Sequence, residues 1–300
     1  MKPVISVIIP TYNRLAGLRR SLDSLVQQDL PRDDYEVLVC DDGSSEDTFS
    51  LVCEYQDRLH IIYQFQEDQG FRAAAARNMG IRKAKGDICV FIDNGIILHP
   101  DALNEHIRIH QSHARPCAVV GYVYGFDVVE SNKQDIIHIV DSHTIEDAIE
   151  VLDRKQILDI REKFYTEFSD DISKLPAPFV LFWTCHVSMS RAALIDVGMF
   201  DESFTSWGGE DCDIGLAMQK YGAQFILARD AKSIHYPHKK EFDFVNESDV
   251  ADRHIDEKKI YLLKKYQTRV VKLWTEFDDD VKLNRLLLEE QKTGVPVDLA

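Results

Sequence analysis

The chain reads as an α/β protein built on a doubly wound, mostly parallel sheet. Apolar, partly β-branched runs at Val4–Ile9, Glu36–Cys40 and Ile88–Ile92 each stop at acids or turn residues, as buried parallel strands do. Between them lie helical patterns: Leu15, Leu18, Leu22, Leu25 and Val26 share one face, and Ala73 to Lys85 is alanine-rich. Strand alternating with helix implies right-handed β-α-β units with helices on both faces of the sheet.

Composition narrows the function. Three hundred residues suit one large domain or a domain with an appendage. A hydrophobic fraction of 45% with 29% charged residues allows a sizeable core. A net charge of -16 argues against a broad basic footprint, so nucleic acid is not an expected partner. The six cysteines (Cys40, Cys53, Cys89, Cys117, Cys185, Cys212) form no CxxC pair and mostly lie in apolar runs, the pattern of buried thiols in a reducing compartment. The opening apolar run is too short for a signal sequence, and no run of about 18 apolar residues occurs, so no transmembrane segment is expected. The expected location is the cytoplasm.

In chain order, the first strand ends at Pro10-Thr11-Tyr12-Asn13 and the second at Asp41-Asp42-Gly43-Ser44. Ser44 with Asp47 fits a capping pair for a helix through Phe49, Val52 and Cys53, and Leu59 to Tyr63 reads as a third strand. The run Ile88–Ile92 delivers Asp93 to the carboxyl edge of the sheet, where ligands of open α/β folds sit, and Asn94-Gly95 follows. Strand-end carboxylates such as Asp42 and Asp93 suit a nucleotide, because they accept hydrogen bonds from a base N–H or a ribose hydroxyl. An isolated Asp-Gly pair equally makes a simple turn. No GxGxxG follows the first strand, which argues against a dinucleotide enzyme.

Further on, Pro100 opens a helix bearing Leu103, Ile107 and His110, and Cys117–Gly121 reads as a strand. Residues 130–178 lose the alternation, carry an amphipathic pattern (Ile149, Leu152, Ile157, Ile160, Phe164) and read as an insertion over the mouth of the site; His138 and His143 lack ligand spacing there. Phe179 to Met189 is strand-like, and Ser190 caps a short helix through Leu194. Then comes Trp207-Gly208-Gly209-Glu210-Asp211. The glycines let backbone approach a ligand closely, and Trp207 offers an aromatic face. Glu210 and Asp211 open a helix with Ile214, Ala217, Met218 and Tyr221 on one face. The helix dipole favours their ionised forms while mutual repulsion and burial oppose it, a balance that can leave a base near neutral pH. Gln224 to Ala228 is the last strand, followed by His235 and His238. Beyond Lys239 the chain is highly charged, with amphipathic helices marked by Ile260, Leu262, Leu263, Tyr266, Val270, Val271, Leu273 and Trp274, then Leu283, Leu286, Leu287 and Leu288. They are expected to pack on the rest of the chain or to form a homodimer.

Ser6–Arg14, Val39–Ser45, Ala76–Gly80 and Phe91–Asp93 together resemble family 2 glycosyltransferases, inverting enzymes of the GT-A fold that use nucleotide-sugar donors. The Trp-Gly-Gly-Glu-Asp string resembles that of β-galactosyltransferases and chondroitin-polymerase-type transferases. The resemblance covers residues 4 to 237. It implies that Pro10, Thr11 and Tyr12 line the base pocket, with Asp42, or second Asp41, contacting the base. Arg77 would lie near the diphosphate, and Asp93 would hold the ribose and help place a metal. On the acceptor side it implies Trp207, Gly208, Gly209 and Glu210, with His186 where the family often has an Asn. Asp211 would be the general base, Glu210 would orient the acceptor, and His235 (His238 in reserve) would complete the metal site. Asp93-Asn94-Gly95 stands for a DXD motif without its second acid, so the implied Mn²⁺ or Mg²⁺ would be weakly held.

The expected function is therefore transfer of a sugar, most commonly from a UDP-sugar, to a hydroxyl of a glycan, glycolipid or small-molecule acceptor. The rivals are a catalytically weak nucleotide-sugar-binding protein, suggested by Gly95, and a nucleotidyltransferase, which would need a glycine- and Lys/Arg-rich loop after the first strand. The expected organisation is a GT-A domain over 1–238, divided into a nucleotide-sugar-binding half (1–100) and an acceptor half (101–238), then a helical extension over 239–300.

Overall fold

The computed structural model describes residues 2–126, 130–237, 248–277 and 279–293. Its first half is β1 (Ile5–Thr11), α1 (Leu15–Val26), β2 (Tyr35–Asp41), α2 (Thr48–Cys53), β3 (Ile61–Phe65), α3 (Ala73–Lys83), β4 (Ile88–Ile92) and β5 (Ile96–Leu98). The second half is α4 (Ala102–Ser112), β6 (Cys117–Tyr124), α5 (Glu130–Ser142), α6 (Ile145–Arg154), α7 (Glu162–Glu167), β7 (His186–Ser190), α8 (Arg191–Asp196), α9 (Glu210–Tyr221) and β8 (Gln224–His235). The chain then adds α10 (Ser248–Tyr266), α11 (Arg269–Glu276) and α12 (Asp280–Lys292).

The strands form one sheet in the order β3-β2-β1-β4-β7-β6-β8-β5. The first four are parallel, as expected for β-α-β units. Beyond β4 the sheet is mixed: β7 runs antiparallel to both β4 and β6, β6 and β8 are parallel, and β5 closes the edge antiparallel to β8. The doubly wound character therefore belongs to the first half. Sequence expectation also differs in detail. The run from Phe179 to Met189 starts as a 3-10 turn, Pro178–Leu181, because Pro178 lacks a ladder donor, and β7 occupies only its end. The helix α2 is capped by Asp47, whose carboxylate accepts from Ser50 N; Ser44 Oγ instead accepts from Asn13 N at 2.9 Å.

Two apolar layers sandwich the sheet. One side is filled by Leu18, Leu22 and Leu25 of α1 against Val7, Val37 and Val90. The other holds α3, α9 and the 3-10 turn, and it continues without a break into Leu262, Val271, Trp274 and Leu287 of the extension. Trp274 packs edge-on to Phe179 at 5.4 Å, and Asn284 Oδ1 accepts from Ala177 N at 2.9 Å. The apolar faces considered for a homodimer thus enter the chain's own core. Of the insertion, α6 packs on β6, α5 packs on α6, and the 3-10 turn Ile172–Lys174 packs on β8. No described helix is long and apolar enough to cross a membrane.

Candidate active site

The parallel register places Thr11 opposite Asp41, so the ends of β1 and β2 lie side by side. Asp42 N donates to Thr11 O at 2.9 Å, extending that junction. Asp41 is buried; its two oxygens accept from Ser44 N and from the Tyr63 hydroxyl, both at 2.8 Å. It holds the turn, with both oxygens engaged inside the chain. Asp42 is buried as well, with Oδ1 accepting from Gln66 Nε2 at 2.5 Å and Oδ2 from Arg72 N at 2.8 Å. Burial pushes its pKa up, against the pull of those donors. Gly43, at φ +91, is required because a Cβ there would lie 2.3 Å from Asp68 N. The 66–72 segment is thereby pressed onto this corner, and the half-exposed Tyr12 hydroxyl donates to Asp68 Oδ2 at 3.0 Å. Pro10 is partly buried at the end of β1, whereas Thr11 is buried, its Oγ1 accepting from Asn94 Nδ2 at 2.5 Å.

Arg77, on α3, occupies the centre. Its buried guanidinium donates to Asp93 Oδ1 at 3.0 Å and to Glu210 Oε1 at 3.2 Å. This ties the acid at the end of β4 to the first residue of α9. Arg77, expected near the diphosphate, is held here between two carboxylates. Asp93 has a 38% exposed side chain, while Glu210 is buried and its Oε2 has no hydrogen-bond partner. That orphaned acceptor needs a donor that the described side chains do not supply.

Asp211 follows Glu210 on the first turn of α9. Burial and then the adjacent Glu210 push its pKa up to about 7, while Arg77 pulls the other way. This is the balance expected for a pair of acids at a helix start. Ahead of it, Gly208 (φ +83) and Gly209 (φ +95) take the left-handed turn that a side chain at Gly209 would drive into the Phe204 ring, 2.8 Å away. Trp207 stands 63% exposed. The Met199–Glu202 segment is fixed by Asn78, which donates to Phe200 O at 2.8 Å and accepts from Phe200 N at 3.0 Å.

The Asp93-Asn94-Gly95 turn is sewn to α1. Asn94 is buried and donates to Arg14 O (3.1 Å) as well as to Thr11, and Gly95 N donates to Ser21 Oγ at 3.0 Å. Asn94 Nδ2 is thus committed to the turn, while its buried Oδ1 has no hydrogen-bond partner. His186 is also corrected: it is fully buried in β7, with Nδ1 on Ser233 Oγ (2.9 Å) and Nε2 on His106 Nε2 (3.0 Å), and no face reaches an acceptor. His235 ends β8 opposite Ile96, two residues from the turn's close, and its ring packs edge-on to Phe126 at 4.9 Å. His238 lies outside the described residues. Among the described residues no three His, Cys, Asp or Glu side chains group as a metal cage. Asp93 nevertheless offers one half-exposed carboxylate, which fits a hard cation that keeps most of its ligands as water and phosphate oxygens.

Sequence reasoning missed Asn78, although it sits inside a quoted motif beside Arg77. It also missed Gln66, Asp68 and Lys258, whose segments show no local pattern.

A corner at the ends of β1 and β2, an acid at the end of β4 and a carboxylate pair opening α9 stand on an α/β sheet whose first half is parallel and wound as in nucleotide-binding folds. A model of the family described as glycosyl transferase family 2 matches residues 6–198, and the chain belongs to that family. It is 38% identical over 240 residues to the validoxylamine A glucosyltransferase of Streptomyces hygroscopicus subsp. jinggangensis (strain 5008), covering 79% of this chain and 56% of that protein. It is 29% identical over 241 residues to the chondroitin synthase of Escherichia coli, covering 77% of this chain and 34% of that one. The chain spans about half the length of the validoxylamine A glucosyltransferases it matches. Among solved structures, Staphylococcus aureus TarS 1-349 in complex with UDP superposes with TM-score 0.54 at 19% identity, covering 77% of this chain and 59% of that one. The mannosyltransferase PcManGT from Pyrobaculum calidifontis, in complex with GDP-Man and Mn2+, gives 0.58 at 19%, covering 88% and 65%. These structures share the GT-A-like fold.

Proposed function

We propose that the chain transfers a sugar from a UDP-sugar to an acceptor hydroxyl with inversion at the anomeric carbon, using Asp211 as general base. The observation that carries this is a carboxyl pushed up to about 7, next to the Asp93–Arg77–Glu210 bridge that joins donor and acceptor sides. A base poised near the working pH takes the proton most efficiently.

Each residue then has a task. Tyr12 and Pro10 face the base. Asp42 accepts from it, since an ionised carboxylate has about four acceptor positions and two are taken by Gln66 and Arg72. Asp93 holds the ribose and is the protein ligand of a Mn²⁺ or Mg²⁺ carried by the diphosphate. Bound there, the cation offsets charge on the leaving group. Trp207 presents its ring to the acceptor sugar, Gly208 and Gly209 let it approach, and the unpartnered Glu210 Oε2 takes one of its hydroxyls. Asp211 removes the proton of the attacking hydroxyl, opposite the departing nucleotide. Arg77 holds Asp93 and Glu210 in register through its two ion pairs.

The family and the UDP named in the TarS complex support the donor class, and the validoxylamine A glucosyltransferase makes UDP-glucose the first donor to try. Acceptors to test are chondroitin-type oligosaccharides and small polyhydroxylated amines. In such an assay Asp211→Asn should lose transfer by about 10²–10⁴-fold while keeping UDP affinity, and the wild-type rate should fall below about pH 7. EDTA should depress the rate and Mn²⁺ restore it. Retention of a tenth of the rate by the Asn variant would sink the base assignment. A second reading, a nucleotide-sugar-binding protein without turnover, is favoured by Gly95; UDP-sugar binding with no product on any acceptor would support it.

A further inference from the structure

We propose that Lys258 is a positioning residue of the acceptor site: from the C-terminal extension it holds the Trp207 loop and, through it, the start of α9. This deepens the reading of Asp211 as base and rests on it. Lys258 Nζ donates to Ser206 O at 3.0 Å and to Trp207 O. Two successive carbonyls thus turn toward one ammonium. The left-handed Gly208 and Gly209 carry the backbone on from there into the helix bearing Glu210 and Asp211. The Lys258 stem lies against Gly209, for a Cβ there would meet its Cδ at 3.1 Å. The cation also feels the carboxylates of both Glu210 and Asp211.

The helix that carries Lys258 is itself pinned to the catalytic body. Lys258, Tyr261 and Lys265 fall at i, i+3 and i+7, one face of α10. On that face Tyr261 donates to Asp201 Oδ2 at 2.7 Å, and Lys265 reaches Asp201 (2.8 Å) and Asp213 (2.9 Å). Tyr266 adds a bond to Asp213 Oδ1 at 2.9 Å. The anchors grip the segment before the loop and the helix after it, while Lys258 reaches the loop carbonyls. The α9 amino terminus has no side-chain cap at Gly209, so the cation is what orients the peptides just ahead of it. An ammonium, with three donors on a long stem, can serve both carbonyls at once.

The test uses the full chain with Lys258→Met, which keeps the apolar stem, Lys258→Arg, which keeps the charge, and Lys265→Met as a control for bracing. The readouts are amide exchange over residues 204–211, UDP affinity, melting temperature, and kcat and KM with UDP-glucose and the best acceptor found. Lys258→Met should speed exchange of the loop and lower kcat by about tenfold or more, the effect of losing one charge-assisted hydrogen bond, with UDP affinity and melting temperature held. Lys258→Arg should recover most of the loss, and Lys265→Met should lower the melting temperature. Wild-type exchange and turnover in Lys258→Met would overturn the proposal. So would a parallel loss of melting temperature and UDP affinity in both Met variants, which would mean bracing alone. Asp211→Asn is run beside them: if it turns over normally the base assignment fails, while loop exchange still judges Lys258.

Discussion

Gly95 stands where a second carboxylate would complete an Asp-X-Asp pair, and its backbone explains why none is there. Its φ is +100, and an added Cβ would lie 3.2 Å from an Arg14 guanidinium nitrogen. With Gly95 N bonded to Ser21 and Asn94 buried against Thr11, the turn serves to lock β4 to α1. Gly95→Asp should therefore cost about 1–3 kcal/mol of stability by forcing the left-handed backbone, and its carboxylate should be drawn to Arg14. Urea melts and a Mn²⁺ titration in the presence of UDP would check this; a tenfold tighter cation would mean the turn is a damaged metal site after all. At this scale the candidate residues were legible in the sequence, because strand-end acids and the Trp-Gly-Gly-Glu-Asp string are contiguous. It did not show their partners. That Asp41 faces Tyr63, or that His186 is buried against His106 and Ser233, depends on register between strands distant in the chain.

The elements differ in how much of them a sequence can show. Buried parallel strands are continuous apolar runs, so β1, β2 and β4 were plain. The strand β8 was legible only to Ala228, because Arg229, Asp230 and Lys232 break its pattern, and its register with β6 shifts at Gly121/Tyr122. Residues 130–178 looked like a loose charged insertion, yet a buried ion pair anchors them. Arg161 donates to Asp159 (2.7 Å), to Gly121 O (3.2 Å) and to Leu181 O (2.9 Å), while Asp159 accepts from Val123 N at 2.9 Å. Both side chains are buried, so removing one leaves the other charge stranded. Arg161→Met should destabilise the protein by about 3–5 kcal/mol, whereas replacing both partners with apolar residues should recover much of that. Denaturant titration of the single and double variants decides it. A loss below about 1 kcal/mol in the single variant would show that the pair is solvated and the insertion held by its apolar face alone.

Across the molecule, α4 is joined to β7 and β8 by a chain of polar groups that no motif announced. His106 and His186 meet at 3.0 Å, His106 Nδ1 bonds Ser188 Oγ at 2.8 Å, and His110 Nε2 bonds the same hydroxyl at 2.9 Å. Burial, with the other histidines beside it, holds His106 well below its ordinary 6.5. Burial, with Arg161 nearby, takes His186 down to about 3, and burial beside His113 takes His110 to about 4. Depressed histidines bind fewer protons folded than unfolded, so stability is whole above pH 6.5 and drains as pH falls toward 4. Each such group contributes a slope of about 1.4 kcal/mol per pH unit in that window. The raised carboxyls of Asp42 and Asp211 act in the opposite sense, because their protonation favours the folded form. His110→Gln can still bond Ser188 but takes up no proton. Urea titrations at pH 7, 6 and 5 should show the variant losing less stability than the wild type by about one proton's slope. Parallel pH profiles would mean that His110 titrates alike in both states, and that the junction between β6, β7 and α4 is open to water.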